Sequence, residues 1–247
     1  EEMFVSAQVG LAELALSGCS MTSDHLYLYP NGARLDDTIA AAGEVGLRFH
    51  PTRGAMSIGE SAGGLPPDSL VEREAAILED CIRVVDAFHD SRPGAMVRVG
   101  LAPCSPFSVS RELMSESAKL AEREDVRLHT HLAETDDETA YCERLFGMRP
   151  LDYLDQQGWL SNRTWLAHGI HFNDEEIQRL GRAGTGIAHC PSSNMVLGSG
   201  LCRTIELEAA GAPVGLAVDG SASNAHSTLA HEMRQALVLG RLRYEPG

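Results

Sequence analysis

The sequence predicts an α/β fold, a parallel (β/α)8 barrel of the TIM type that lacks its first strand. Short apolar runs alternate with helix-like segments through all 247 residues, which is typical of a parallel sheet with helices outside it. Seven such runs occur, and no G-x-G-x-x-G follows any of them. That absence disfavours the alternative, an open doubly wound sheet that binds a dinucleotide. We therefore expect residues 1–247 to form one incomplete barrel domain with strands 2 to 8.

The predicted elements follow one another in a regular order. Residues 1–17 resemble a helix that follows a missing first strand. The apolar runs, our predicted strand regions, are 19–30, 46–54, 96–106, 126–135, 164–172, 186–194 and 213–221. Helices are predicted at 35–45, 69–90, 110–124, 173–183 and 225–242. Several begin with Ser or Asn and carry an acid three residues later, as Asn173 and Glu176 do, which is a helix-start signal.

Composition excludes several classes of function. The net charge of −15 argues against a nucleic acid or an anionic membrane as partner. No apolar run reaches the ~18 residues of a membrane helix, and no signal-peptide pattern opens the sequence. Six cysteines without a C-x-x-C pair indicate neither a disulfide framework nor a zinc ribbon. We therefore expect a cytoplasmic protein that acts on a small molecule.

The stretch "GESAGG", residues 59–64, matches the G-x-S-x-G motif of serine esterases, with Ser61 as the nucleophile. Asp219 and His226 follow in the order that a catalytic triad would need. In an esterase, however, a helix begins at the nucleophile, and the adjacent Pro66 and Pro67 oppose such a helix. We interpret this segment as a long loop at a strand end, of the kind that forms a lid or a binding loop.

Histidines and carboxylates stand where the later strands end. His131 closes one predicted strand and Glu134 follows it, while His168, His189 and Asp219 mark the ends of the next three. In a barrel, catalytic groups lie at the carboxyl ends of the strands, so these side chains should share one mouth. Imidazole and carboxylate groups bind zinc or a similar ion, and a carboxylate beside that ion can move protons.

Other residues near these strand ends leave alternatives open. His129 and His131 could be paired metal ligands, but we expect His129 to be hydrogen-bonded one layer deeper in the barrel. His189 is evenly balanced between the site and a structural role, and Cys104 and Cys190 are expected to pack. The chain has one lysine, Lys119, within a predicted helix. Because a carboxylated lysine often bridges two metals in barrels, its absence from a strand end favours a single metal.

At these residues the sequence resembles the amidohydrolase superfamily, in its branch of aminohydrolases acting on purines, pyrimidines and triazines. The matching blocks are "HTHLAET", "LAHGIHF", "HCPSSNMVLGSG" and "VDGSASN", in the same order and spacing, and they cover most of residues 126–224. The loop "RGAMSIGESAGGLPPDS" and the block "APCSPFSVS" are similar to those of 8-oxoguanine deaminases in particular. The esterase-like string is then part of a substrate loop.

The resemblance implies a role for each matching residue. It makes His131 and Asp219 metal ligands, Glu134 the proton shuttle and His168 a residue that polarises the substrate beside the metal. Asp219 also takes a proton from the attacking water. We assign His168, Asn194 and Arg53 to substrate binding, Arg53 through its guanidinium donors.

The sequence departs from that family pattern in one respect. The H-x-H of the first strand, which supplies two metal ligands, does not occur before residue 126, and the family's small β-sandwich domain is missing. This span is therefore expected to bind metal poorly and to turn over little substrate.

The activity expected from the resemblance is hydrolysis of a C–N bond in a cyclic amidine: deamination of an aminated heterocycle, with 8-oxoguanine first, dependent on one zinc or iron ion. Guanine, isocytosine or an aminotriazine are alternative substrates. A different amidohydrolase reaction, such as dechlorination, and a non-catalytic truncated barrel are alternative functions. A homo-oligomer is possible.

Overall fold

The computed structural model describes residues 1–244, so the expectation for 245–247 lies outside the described residues. Strands and helices alternate as the sequence predicts. The strands are β1 (Met21–Ser23), β2 (Arg48–His50), β3 (Thr52–Ala55), β4 (Gly100–Pro103), β5 (Arg127–Leu132), β6 (Thr164–His168), β7 (Gly186–His189) and β8 (Val214–Leu216). The helices are α1 (Glu2–Leu16), α2 (Leu35–Val45), α3 (Glu74–Phe88), α4 (Arg111–Arg123), α5 (Asp136–Phe146), α6 (Pro150–Gln156), α7 (Asp174–Ala183), α8 (Pro191–Leu197), α9 (Thr204–Ala210) and α10 (Leu229–Arg243).

All strand pairs are parallel. A six-stranded sheet has the order β3-β4-β5-β6-β7-β8, and β1 pairs with β2 in a second, two-stranded sheet. The predicted run 46–54 contains both β2 and β3 because Pro51, which has no N–H to donate, separates them. An isolated parallel bridge between Leu26 and Arg53 continues the pairing across this break. The predicted α/β barrel strands 2 to 8 are therefore confirmed, and within residues 1–244 no ladder joins β8 to β1.

The strands alternate between a helix-facing and an interior-facing side. In β5, Leu128 and Leu132 belong to the apolar core under the helices, and His129 and His131 point to the interior, as a period of two requires. The core includes fully buried aromatic side chains, among them Trp159, whose indole N–H donates to the Met114 carbonyl at 2.9 Å. Among residues 1–244, no helix has both the length and the apolar character to cross a membrane.

The "GESAGG" loop is compact but is not a nucleophile elbow. Glu60–Ala62 forms one short 3-10 turn instead of a helix start, and the Ser61 hydroxyl donates to Asp68 Oδ1 at 2.9 Å. A Cβ atom at Gly64 would collide with the carbonyl of Ile58. The glycines of the motif therefore serve the tight path of a loop, as the sequence analysis predicts.

Candidate active site

The carboxyl ends of β5, β6 and β8 bring four predicted residues to one edge of the sheet. The register pairs Leu132 with His168, so Glu134, two residues beyond β5, lies beside the end of β6. His168 and Asp219 adopt left-handed backbone conformations, with φ of 72° and 61°. Such conformations cost about 1–3 kcal/mol in residues other than glycine and cluster at functional sites. At His168 this backbone ends the strand alternation and turns the imidazole toward the mouth.

His131 is held in one tautomer. Its Nδ1 donates to the carbonyl of Cys104 at 2.8 Å, so the lone pair of Nε2 is available to a metal, the usual arrangement for a histidine ligand. Burial disfavours the charged imidazole, yet hydrogen bonding to Cys104 and the charge of Glu134 outweigh it and raise the pKa of His131 to about 9. The surroundings of this nitrogen thus favour a cation.

His168 faces both carboxylates of the site. Its Nε2 lies 3.7 Å from Glu134 Oε2 and 4.0 Å from Asp219 Oδ2. On the other side of the ring, the Asn194 amide nitrogen donates to Nδ1 at 3.0 Å, which places the ring proton on Nε2. Burial, together with nearby His131, lowers the pKa of His168 to about 4. His168 is therefore a neutral imidazole that presents an N–H to the mouth.

Asp219 is held as a carboxylate. The Ser193 hydroxyl donates to Oδ2 at 2.6 Å and the backbone N–H of Gly220 donates to Oδ1 at 2.6 Å. Burial opposes the charged form, but these two hydrogen bonds and His168 lower the pKa of Asp219 below its usual range. An ionised carboxylate with an accessible oxygen can ligate a metal or accept a proton.

Glu134 has the opposite tendency. Burial raises its pKa, opposed by His131 and assisted by the charge of Asp219. Its backbone is fixed by Glu138, whose buried carboxylate accepts the Glu134 N–H at 3.0 Å. A carboxyl group whose pKa is pushed above that of its neighbour is suited to carry a proton. Glu134 and Asp219 thus differ in protonation although they share one site.

The donor set at this mouth fits a divalent metal. His168 Nε2, an Asp219 oxygen and the Cys190 sulfur lie within 4.8 Å of one another, and the free Nε2 of His131 belongs to a ring 5.3 Å from that of His168. Nitrogen and oxygen donors of this kind bind zinc or iron. The Cys190 thiol is buried as expected and donates to the Ala188 carbonyl at 3.4 Å; burial raises its pKa.

The structure does not bring Arg53 and Asn194 to the mouth in the same way. Arg53 is 3% exposed and points to α3, where its guanidinium donates to Asp80 Oδ2 at 2.6 Å and to both Glu72 oxygens at 2.9 and 3.1 Å. It also donates to the Gly54 carbonyl. Asn194 is 1% exposed and lies behind His168. Arg53 therefore braces the strand and Asn194 orients His168, and their binding of substrate stays a prediction.

The two histidines with open roles separate clearly. His129 is buried and its Nδ1 donates to the Trp165 carbonyl at 2.9 Å, so the expected deeper, hydrogen-bonded position is confirmed. His189 lines a small space with residues of α9 and α10, including Thr204 and Leu239. It therefore faces the helices instead of the mouth.

Sequence reasoning missed His25 and Tyr27. The His25 ring stacks on His131 at 4.6 Å, its Nε2 donates to the Ala102 carbonyl at 2.9 Å, and its buried Nδ1 has no hydrogen-bond partner among residues 1–244. The Tyr27 ring lies 6.0 Å from that of His131. Burial, with the charges of Cys104, Asp219 and Glu134, raises the Tyr27 pKa to about 12. The signal was available, because both residues follow β1 as the other site residues follow their strands.

Comparisons with known proteins agree with this geometry. The chain is 58% identical over 246 residues to an 8-oxoguanine deaminase of Pseudomonas aeruginosa, covering 99% of this chain and 55% of that protein. It is 41% identical over 244 residues to a hydroxydechloroatrazine ethylaminohydrolase of Pseudomonas sp. strain ADP, covering 98% and 50% of the two chains. The chain thus spans about half the length of the curated relatives it matches.

Solved structures and a family model give the same result. The atrazine chlorohydrolase of Arthrobacter aurescens TC1, solved in complex with zinc, superposes with a TM-score of 0.91 at 35% identity, covering 96% of this chain and 53% of that one. The model of the amidohydrolase family matches residues 1–246. The chain therefore belongs to the amidohydrolase family.

Proposed function

We propose that the protein is a metal-dependent hydrolase that deaminates an aminated heterocycle, with 8-oxoguanine as the substrate. The observation that carries the proposal is the convergence of Glu134, His168 and Asp219 on one mouth, with Nε2 of His168 3.7 and 4.0 Å from the two carboxylates. The similarity to an 8-oxoguanine deaminase supports the choice of substrate. In this reaction water adds to the ring carbon that bears the amine, the C–N bond breaks, and ammonia leaves.

Each residue has one task in this reaction. The metal, held by His131 and Asp219, would lower the pKa of a water for attack. Asp219, ionised because of its hydrogen bonds, accepts a proton from that water. Glu134, whose pKa is raised, gives a proton to the departing amine. The neutral His168 donates its Nε2–H to the substrate and polarises the carbon under attack.

A single metal ion, zinc with iron as the alternative, is part of the proposal. Lys119 Nζ donates to Glu116 Oε1 at 2.7 Å on the surface of α4, with the lysine side chain 68% exposed. It is therefore remote from the strand ends where a carboxylated lysine would bridge two metals. The six cysteines are free thiols, which fits the proposed reducing cytoplasm. A homo-oligomer stays a prediction.

Two observations favour a second candidate substrate class. The relatives include an enzyme named for an ethylamino-substituted triazine and a structure named for atrazine. Guanine, isocytosine and aminotriazines are therefore the alternative substrates, and dechlorination is the alternative reaction. A raised pKa at Glu134 favours deamination, because departure of an amine requires delivery of a proton.

The decisive experiment measures ammonia release from 8-oxoguanine by the protein in the full length in which it is encoded, loaded with zinc. We expect release in the wild type and a loss of about 10²–10⁴-fold in Glu134→Gln, which keeps the size of the side chain but cannot shuttle a proton. Glu143→Gln, the same change at an exposed position of α5, is the matched control and should keep wild-type activity.

Each other outcome contradicts part of the proposal. No release with zinc bound would exclude 8-oxoguanine and move the test to guanine, isocytosine and the triazines. Equal release by Glu134→Gln would remove Glu134 from the mechanism. Failure to bind zinc at full length would contradict the metal site itself and leave the non-catalytic barrel.

A further inference from the structure

A second polar cavity lies at the opposite edge of the sheet from the candidate active site. It has a volume of about 240 Å³ and is lined by residues at the amino ends of the strands, among them Arg98 before β4, Arg127 at the start of β5 and Arg163 before β6. Between this cavity and the mouth lie the rings of Trp165 and His129, stacked at 4.7 Å. The cavity is therefore separate from the site that holds Glu134.

Backbone carbonyls fix two of the arginines in place. Arg98 Nη2 donates to the carbonyls of Ser91 and Arg92, both at 2.9 Å. Arg127 Nη1 donates to the carbonyl of Asn162 at 2.7 Å. Neither guanidinium has a carboxylate within ion-pair distance among residues 1–244. In a chain with a net charge of −15, two positioned and uncompensated positive charges on one cavity are unusual.

The remaining lining groups add further donors. Arg163 Nη1 binds Asp125 Oδ1 at 2.7 Å, and Asp125 is the one carboxylate on the cavity wall. His89 Nδ1 accepts the N–H of Val99 at 3.1 Å, so its ring proton is on Nε2. His50 Nε2 is buried without a hydrogen-bond partner among residues 1–244. A bound anion would supply the acceptor that these groups lack.

We propose that this cavity binds the phosphate group of a small phosphorylated metabolite. Planar guanidinium groups donate pairs of hydrogen bonds to phosphate oxygens, and arginine is the preferred residue for such recognition. Three arginines against one carboxylate leave a net charge of about +2, which a phosphate dianion balances. At ~30 Å³ per water molecule, the volume holds a phosphate together with a small organic group.

The test uses isothermal titration calorimetry of the zinc-loaded protein with inorganic phosphate as the probe. We expect saturable binding that weakens at least about tenfold in Arg98→Gln and in Arg127→Gln, because each removes charge-assisted hydrogen bonds. Arg182→Gln, on the exposed last turn of α7, is the control and should bind as the wild type does. Both test positions lie at the protein surface, and urea unfolding verifies that each variant is folded.

Two outcomes would overturn the proposal. Absence of saturable binding at low ionic strength would exclude a phosphate site in the cavity. Binding with wild-type affinity in both Arg98→Gln and Arg127→Gln would place the phosphate elsewhere, for example on the metal at the opposite mouth.

Discussion

Hydrogen bonds to buried side chains determine what each residue of the site can do. Asn194 and Glu138 illustrate this, because neither reaches the mouth and each acts on a residue that does. Asn194 determines which nitrogen of His168 carries the proton, and Glu138 holds the backbone that carries Glu134. Removal of either would disturb the chemistry through its neighbour.

Glu138 provides a prediction about pH. Burial raises its pKa from 4.5 to about 7, although backbone hydrogen bonds oppose the shift. The folded state therefore holds this proton more tightly than the unfolded state, so the stabilisation is complete below pH 4.5 and is lost as the pH rises to 7. Glu138→Gln removes the ionisable group and can still accept the Glu134 N–H. Between pH 5 and pH 8 the variant should gain at most about 3 kcal/mol relative to the wild type.

Urea unfolding at pH 5, 6, 7 and 8 measures this difference. Glu143→Gln on the exposed face of the same helix controls for the general effect of removing a negative charge. If the gap between wild type and Glu138→Gln is the same at pH 5 and pH 8, the Glu138 carboxyl is already ionised throughout.

At the scale of elements, Arg53 connects β3 to the helix that follows it. Its ion pairs reach Glu72 before α3 and Asp80 within α3, and its guanidinium lies 4.2 Å above the Tyr29 ring. Arg53→Gln leaves two carboxylates without their buried partner and should cost about 3 kcal/mol of unfolding free energy. Arg92→Gln, which breaks an exposed pair with Asp90, should give no measurable change.

Denaturant unfolding and steady-state kinetics together separate the two roles of Arg53. A structural role lowers stability in Arg53→Gln well below that of Arg92→Gln. Unchanged stability with a raised KM would instead restore the substrate-binding role that the sequence analysis assigns to Arg53.

The long elements could be predicted from the sequence and the short ones could not. Helices α1, α2, α4 and α7 lie within two residues of their predicted bounds, because their apolar residues repeat over at least three turns. Helix α3 begins at Glu74, five residues after the predicted start, since residues 68–70 form a separate 3-10 turn. Helices α6, α8 and α9 have seven residues each, too few for a periodic pattern. Helix α5 was missed although Thr135 caps it, accepting the N–H of Glu138.

At the scale of the whole molecule, the site was predictable because parallel strands align their carboxyl ends. That rule brings His131, Glu134, His168 and Asp219 together without knowledge of any side-chain contact. It does not say which way a residue beside the strand end points. The outward direction of His189 and the saturated donors of Arg53 depend on packing against α10 and α3, which spacing along the chain does not encode.

The metal site gives a prediction for the molecule as a whole. Of the residues that the family resemblance makes metal ligands, residues 1–244 contain His131 and Asp219, and no H-x-H precedes residue 126. Zinc in proteins is commonly held by three or four side chains, so the 247-residue chain should lose zinc to a chelator that leaves the full-length encoded protein loaded. Zinc content after dialysis against graded chelator concentrations measures the difference.

Full zinc occupancy and high activity in the 247-residue chain would contradict that expectation. The missing ligands would then have to come from the same mouth, where Cys190 Sγ lies within 4.8 Å of the His168 and Asp219 donors and His25 Nδ1 has no partner. Cys190→Ser and His25→Asn would each release the zinc in that case. If neither variant changes the zinc content, the ion is not held by these side chains, and the assignment of His131 and Asp219 as its ligands is wrong as well.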